Sequence, residues 1–122
     1  MSRKSGQWHE AMAEKYLVQQ GLKPVSKNFH AYRGEIDLIM QDQYSLVFIE
    51  VRFRKNIFFG SAAETVTSKK QRHLAQAAQR FLQLHPKMAN KACRFDVIAI
   101  TGSANPSNPP KIDWIKNAFL IT

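Results

Sequence analysis

Two acidic residues in this chain lie inside strand-like apolar runs, where an acid is unusual. Asp37 falls within Ile36–Met40, and Glu50 falls within Leu46–Phe53. Aspartate and glutamate are depleted in strands and are almost never buried without a partner. Two residues after Glu50 comes Arg52, on the same strand face because side chains alternate along a strand. An acid on one strand, with an acid and a base on the next, predicts a site that holds a divalent cation beside a phosphodiester.

Phosphodiester hydrolysis requires an activated water, an offset for negative charge and a stabilised leaving oxygen. A Mg²⁺ or Mn²⁺ ion held by one or two carboxylates, with positions open for water and phosphate, supplies all three. The predicted ligands are Asp37, Glu50 and the main-chain carbonyl of Val51, and Glu10 would add a carboxylate directly or through water. Arg52 would orient the water or stabilise charge.

Spacing alone leaves an ordinary structural interpretation open. Asp37 and Arg52 could form a cross-strand ion pair, with Glu35 and Glu50 as solvated residues at the strand ends. Asp96 is assigned to a pair with Arg94 or to a turn cap, and so lies outside the predicted site. The four histidines show no metal-binding spacing, so we expect them at the surface or at caps. Trp8 and Trp114 are expected in the core or at an interface.

The composition favours a polyanionic partner. The chain has 122 residues and a net charge of +9, which fits one domain and is compatible with a nucleic acid, DNA or RNA, as partner, but also with a soluble protein that is merely basic. Two basic groups are predicted to contact nucleic acid: Arg52, Arg54 and Lys55, and Lys69, Lys70 and Arg72. The single cysteine, Cys93, excludes an internal disulfide, and no signal peptide or membrane span is visible. We therefore expect a cytoplasmic protein with no membrane partner.

The elements that would position these residues follow from apolar periodicity and from turn residues. The pattern predicts, in order, a helix (Gly6–Gln20), a strand or irregular connection (Pro24–Arg33), a hairpin (Glu35–Met40 and Tyr44–Arg54), a loop containing Phe58 and Phe59, a helix opened by a Ser68-x-x-Gln71 capping box and ended by Pro86, a strand (Phe95–Thr101), a loop (Gly102–Pro110) and a terminal strand or strand pair (Ile112–Ile121). This order predicts an α/β fold with a mixed sheet flanked by helices.

Two details of this pattern bear on the site. On the second hairpin strand, Glu50 and Arg52 share one face, and Ile49 and Val51 share the other. Lys70 lies one turn before Leu74 on the core-facing stripe of the second helix, so its amine is expected to point towards the sheet. In the loop, Phe58 and Phe59 could stack on bases, but packing against the sheet is the preferred interpretation.

Several motifs together resemble the YraN-type family of small bacterial proteins. They are GxxxExxAxxYL from Gly6, GEIDLI (Gly34–Ile39), LVFIEVRFR (Leu46–Arg54), the Phe59-Gly60 pair, Lys69-Lys70, RFDVIAI (Arg94–Ile100) and IKNAF (Ile115–Phe119). That family is similar to archaeal Holliday-junction resolvases and to the restriction-endonuclease-like superfamily, whose signature is D…(D/E)xK.

The resemblance implies a restriction-endonuclease-like α-β-β-β-α-β core over residues 1–122 and a magnesium-dependent nuclease site. Glu10 then corresponds to the helix acid, Asp37 and Glu50 to the two motif acids, and Arg52 to the motif lysine. The resemblance to resolvases also suggests a homodimer, since symmetric cutting needs two sites.

The chain departs from the signature at Arg52, because arginine does not lose its proton and cannot act as a base. Three interpretations follow. Arg52 acts electrostatically while the metal alone activates water, Lys70 supplies the amine, or the chain binds nucleic acid without cutting it. The leading hypothesis is a metal-dependent endonuclease acting on DNA, including branched DNA. The alternatives are a non-catalytic nucleic-acid-binding protein and a protein–protein adaptor that uses the terminal strand.

Overall fold

Two α-helices, a short 3-10 helix and five strands make up the part of the chain that the computed structural model describes, residues 3–54, 66–102 and 109–120. In order they are α1 (Arg3–Gln19), β1 (Lys23–Ala31), β2 (Gly34–Asp42), β3 (Ser45–Arg54), α2 (Ser68–Leu84), the 3-10 helix (Pro86–Met88), β4 (Ala92–Thr101) and β5 (Lys111–Phe119). The predicted order is confirmed, and the terminal element is a single strand.

The five strands form one mixed sheet in the order β1-β2-β3-β4-β5. Neighbouring strands are antiparallel except for β3 and β4, which are parallel and in register from Ser45–Ala92 to Arg54–Thr101. A parallel pair needs a long crossover connection, and α2 lies within it. The predicted α/β class is therefore confirmed.

Each face of the sheet carries its own hydrophobic cluster. The cluster under α2 contains Leu46 and Phe48 of β3, whereas the cluster under α1 contains Val47 and Ile49. The two faces predicted for β3 are therefore confirmed, and Glu50 continues the α2 face by alternation.

The regular alternation of β2 is interrupted at Asp37. Ile36 and Ile39 pack in the cluster under α2, whereas Leu38 and Met40 pack in the cluster under α1. The pairing of β2 with β3 also begins only at Leu38, opposite Ile49. Asp37 therefore stands where the two strands part and where the ladder leaves main-chain groups to be satisfied by other means.

The first turn of α2 is fixed by a cap one residue earlier than predicted. Thr67, not Ser68, is the N-cap, and its hydroxyl accepts a hydrogen bond of 3.2 Å from the Lys70 N–H. This bond satisfies one of the free donors of the first helical turn. The helix ends at Leu84, just before Pro86, as predicted.

Helix α2 lies unusually close to the start of β2. A Cβ atom added to the buried Gly34 would run into the main-chain carbonyl of His73. Only glycine permits this approach without displacing one of the two backbones. The contact sets the distance between the strand that carries Asp37 and the helix that carries Lys70.

Helix α1 buries one stripe of side chains against the sheet. Trp8 is 41% exposed, whereas His9, Ala13 and Leu17 are buried. The ring of His9 stacks on that of Phe53 at a centroid distance of 4.1 Å. The expected surface position of His9 is therefore wrong. Trp8 does not lie in the core, and its alternative place at an interface stays a prediction.

Some predicted features fall outside the described residues. They are Lys55, the Phe58-Phe59 pair and most of the predicted loop Gly102–Pro110. Within the described part of the chain, no helix is both long and apolar enough to cross a membrane.

Candidate active site

Asp37 occupies the gap between the parting strands β2 and β3. Its carboxylate oxygen Oδ2 accepts a hydrogen bond of 2.8 Å from the main-chain N–H of Val51. The carboxylate thus replaces the strand partner that β3 lacks at this point. The side chain is 9% exposed, so its charge is largely shielded from water. The local break in the sheet therefore fixes one acid against the strand that carries the other.

Glu50 is still more deeply placed, at 6% exposure, on the α2 face of β3. The Nζ atom of Lys70 lies 3.4 Å from its Oε1 atom. Its Oε2 atom is buried and has no hydrogen-bond partner among the described residues. A buried carboxylate oxygen without a donor carries a large desolvation cost, so this oxygen is poised to accept a further cation or proton.

The pKa of Glu50 is raised to about 8. Burial is the main cause, and the negative charge of Asp37 adds to it, while the charges of Lys70 and Arg52 act in the opposite direction. The positive charges of Lys70 and Arg52 therefore do not offset the effect of burial and of Asp37 on the pKa of Glu50. The site is short of positive charge at neutral pH.

Glu10 of α1 lies near these two acids, and we call Glu10, Asp37 and Glu50 the acid cluster. Burial raises its pKa to about 7, with a further contribution from the charge of Asp37. When the Asn28 amide is oriented to donate, its nitrogen lies 2.9 Å from Oε1 of Glu10 and 3.2 Å from Oε1 of Glu35. This donor opposes the rise in the Glu10 pKa. Asn28, which the sequence did not single out, thus holds the helix acid towards the sheet acids.

The predicted cations reach this cluster from two elements. Lys70 contacts Glu50 directly, and the charge of Arg52 acts on Glu50 from the same strand. Lys69 and Arg72 are exposed on the first turns of α2, and Arg52 and Arg54 are half-buried on β3. Lys55 lies outside the described residues.

A cleft opens onto the two strand acids and the lysine. Its volume is about 270 Å³, and it runs between the start of β2 and the first turns of α2. Its lining includes Asp37, Glu50, Lys70, Glu35, Arg33 and His73. Glu10 and Arg52 are not among its lining residues, so they act on the cluster from outside the cleft.

The donor set of this cleft fits a hard cation. Magnesium keeps several waters and takes one or two carboxylates, together with phosphate oxygens of a substrate. Asp37 and Glu50 provide such a pair, and the partnerless Oε2 of Glu50 is available to it. Within the described residues, no three His, Cys, Asp or Glu side chains are grouped closely enough to hold a metal by themselves. The Val51 carbonyl and Glu10 therefore stay predictions as further ligands.

A further buried acid, Asp96, lies in β4 and has a different set of partners. Asp96, fully buried in β4, accepts hydrogen bonds from Arg94 (3.1 Å), from the indole of Trp114 (2.8 Å) and from the main-chain N–H of Asn117 (3.0 Å). Arg94 also donates to Asp42 over 2.9 Å. Burial lowers the pKa of Arg94, but these hydrogen bonds outweigh it and raise the pKa overall. The predicted pair of Asp96 and Arg94 is present, within a larger network.

Comparison with known proteins gives a consistent match over most of the chain. Residues 9–100 match the model of a family described as Uncharacterised protein family UPF0102. A UPF0102 protein of Saccharophagus degradans is 52% identical over 96% of this chain and 93% of its own length. Similar proteins of Nitrosococcus oceani and Stutzerimonas stutzeri are 44% and 43% identical over 98% and 97% of this chain, and over 94% and 96% of their own lengths.

Proposed function

This chain belongs to Uncharacterised protein family UPF0102, and from its acid cluster we propose that it is a metal-dependent endonuclease that hydrolyses phosphodiester bonds of DNA, including branched DNA. The observation that carries the proposal is the buried pair Asp37 and Glu50, with the amine of Lys70 beside it, at the wall of an open cleft.

Simple structural roles do not account for this pair. A structural acid is surrounded by donors, but Glu50 has a buried oxygen without one and lies near another acid. Such an arrangement costs stability unless a cation binds. Shifted pKa values that arise from burial and a specific charge partner, in a cleft, are typical of functional sites.

In the proposed site, Asp37 and Glu50 would hold the ion, and Glu10 would contribute through water or directly. The ion would supply an activated water and an offset for the charge on the transferring phosphate. Asp37 is itself oriented by the Val51 N–H, so the first acid is fixed before any ligand binds.

Lys70 takes the place of the lysine that the nuclease signature expects two residues after the second acid. Its Nζ atom, 3.4 Å from Glu50, is positioned to orient the attacking water. Arg52 stays charged and instead neutralises a phosphate oxygen. The exposed Lys69 and Arg72, one residue before and two after Lys70, would contact the DNA backbone next to the cut.

The test is cleavage of labelled linear, flapped and four-way DNA in Mg²⁺ or Mn²⁺, with wild type run beside Asp37→Ala and Glu50→Ala. We expect cutting that needs the metal and that both variants lose. Asp113→Ala is the matched control, because Asp113 is an exposed acid of β5 that pairs only loosely with Lys111, at 3.8 Å.

One result would overturn the proposal in favour of a non-catalytic nucleic-acid-binding protein. It is the absence of cutting on every substrate, together with tight, salt-sensitive binding that Asp37→Ala and Glu50→Ala both retain. Binding of that kind weakens by about 0.9 in log affinity per phosphate contact per decade of salt on duplex DNA.

A further inference from the structure

A second groove adjoins the acid-lined cleft and runs along the outer side of α2. Its volume is about 480 Å³, larger than that of the cleft. Arg33 and His73 line both cavities, so the two are continuous at the start of β2. The groove lies between the turn that joins β1 to β2 and the exposed face of the helix.

The lining of this groove has an unusual composition. Among the described residues, no aspartate, glutamate or aliphatic side chain lines it. Apart from Tyr32 and His73, its lining consists of three arginines and three glutamines: Arg33, Arg72, Arg80, Gln76, Gln79 and Gln83. Guanidinium and amide groups are planar, donate hydrogen bonds to phosphates and base edges, and can stack on bases.

Two details concern the side chains that a ligand in this groove would contact. Arg80 donates a hydrogen bond of 3.3 Å to the side chain of Gln83, which limits the positions of its guanidinium. Tyr32, at the rim, is 77% exposed and its φ of 56° lies in the left-handed region. Gln43 adopts the same conformation, with a φ of 53°, in the β2–β3 turn, so the positive φ follows from the two-residue hairpin turn. The aromatic ring of Tyr32 is thus presented to solvent beside a row of cationic and amide groups.

We propose that this groove binds the unpaired strand of a polynucleotide and leads it towards the cleft of Asp37 and Glu50, an inference that rests on the proposed function. The charge of the groove is complementary to a phosphate backbone. An exposed tyrosine and arginine planes bind bases that are not stacked in a duplex, because duplex bases offer no free face. The preferred substrate class is therefore a flapped, forked or tailed nucleic acid rather than a blunt duplex.

The distance from Lys70 in the cleft to Gln83, the last helical residue that lines the groove, sets the length of the tail. From Lys70 to Gln83 the helix advances about 20 Å at 1.5 Å per residue. That distance corresponds to about six phosphates of a strand that keeps the 3.4 Å spacing of duplex DNA. Tails of about six nucleotides should therefore gain the full affinity, and tails of one or two should gain little.

The experiment is fluorescence anisotropy in EDTA, where metal-dependent cutting cannot occur, with a blunt duplex and the same duplex carrying an eight-nucleotide tail. We expect wild type to prefer the tailed DNA. Arg80→Ala should weaken tail binding about tenfold. It should also lower the slope of log affinity against log salt concentration by about 0.7, the value for one phosphate contact on a single strand. Tyr32→Ala should weaken it about tenfold or more, and Tyr32→Phe should not, because stacking needs only the ring.

Matched controls separate the groove from general charge and aromatic content. Lys15→Ala removes one exposed charge from α1, on the opposite face of the sheet, and Tyr44→Ala removes a tyrosine that is 85% exposed in the β2–β3 turn. Both should leave tail binding unchanged.

Two results would overturn the inference. One is that Arg80→Ala and Tyr32→Ala leave the affinity for tailed DNA unchanged. The other is that both variants lose the same affinity for blunt and for tailed DNA, which would show that the groove binds duplex. The cleavage assay is read separately. A protein that binds tails through this groove but cuts no substrate would contradict the endonuclease and leave the groove in place.

Discussion

Asp37 in β2 and Asp96 in β4 both accept a main-chain N–H where the strand ladder beside them is interrupted. Asp37 accepts from Val51, where β2 and β3 part. Asp96 accepts from Asn117, where the register between β4 and β5 shifts. Each carboxylate thus substitutes for a missing strand partner, and each is buried.

The two acids differ in what else surrounds them. Asp96 is completed by donors, the guanidinium of Arg94 and the indole of Trp114. Asp37 instead faces two further acids, Glu10 and Glu50, whose pKa values it raises. The same carboxylate-to-backbone hydrogen bond therefore belongs to a network completed by donors at Asp96 and to a group of neighbouring acids at Asp37. The proposed function therefore rests on the burial of acids beside other acids, and not on the burial of a single acid.

The largest expected effect is the difference between Asp96→Ala and Glu50→Gln in the free energy of unfolding. Asp96→Ala removes the partner of the partly buried Arg94 and leaves the indole and Asn117 donors unsatisfied, so we expect a loss of about 3–5 kcal/mol in the free energy of unfolding. Glu50→Gln removes a charge that the metal-free fold solvates poorly, and should be neutral or stabilising at pH 8. Urea denaturation followed by circular dichroism measures both. Equal destabilisation by the two substitutions would contradict the comparison.

The second prediction concerns which cationic side chain, Lys70 or Arg52, assists the metal-dependent cleavage. If Lys70 provides the amine, Lys70→Ala should lower the rate of metal-dependent cleavage about a hundredfold or more, as expected for a group that orients the attacking water. Arg52→Lys should keep most of the activity, because it preserves the charge on β3. Single-turnover kinetics on a labelled substrate measures both. The reverse ranking would assign the role to Arg52.

The third prediction concerns pH. Because the folded pKa of Glu50, about 8, lies above its unfolded value, the folded protein binds this proton more tightly. The resulting stability is present at pH values below the unfolded pKa and is lost as the pH rises towards about 8. Metal-free wild type should therefore lose more thermal stability between pH 5.5 and 8.5 than Glu50→Gln does.

A metal titration at the upper pH completes this test. Mg²⁺ or Mn²⁺ should raise the melting temperature of wild type at pH 8.5, because the ion binds only the folded state. Glu50→Gln should lose most of this gain. Parallel pH profiles for the two proteins, with no response to metal in either, would show that Glu50 is satisfied by other means.

The smallest expected effect falls on Asn28. Asn28→Gly keeps the positive φ of 50° that this position adopts and removes only the amide that donates to Glu10. We expect about a tenfold loss of metal affinity, typical of a residue that orients a ligand rather than binding the metal. Isothermal titration with Mn²⁺ measures it, with Asn90→Gly, an exposed residue after the 3-10 helix, as the control. An unchanged affinity would remove Glu10 from the ligand set.

Residue type and periodicity were sufficient to predict the two strand acids and Lys70. An acid inside a strand is visible from its neighbours, and the inward position of Lys70 follows from the apolar stripe that begins at Leu74. The mixed sheet and the two faces of β3 were predictable for the same reason, since alternation is a local property.

Features that depend on long-range contacts were not predictable. The role of Asn28 requires that β1 bring its amide to α1, which no local pattern reveals. The Asp96 network joins three strands, through Asp42, Arg94 and Trp114. The burial of His9 was not predictable because it depends on stacking on Phe53, a contact between distant parts of the chain. The cap at Thr67 was missed because Ser68 fits the same pattern one residue later.

Because α2 approaches β2 so closely at Gly34, a substitution at this position and substitutions on the outer side of α2 would have different consequences. A single added methyl group there would push α2 away from β2 and move Lys70 relative to Asp37, with no change in any charged or hydrogen-bonding side chain. Substitutions along the outer side of α2, by contrast, would alter the groove while the backbone contact still holds the amine in place. In the proposed nuclease, substitutions along the groove would therefore change strand binding one side chain at a time, whereas the geometry of the acid site would depend on one position that tolerates no side chain.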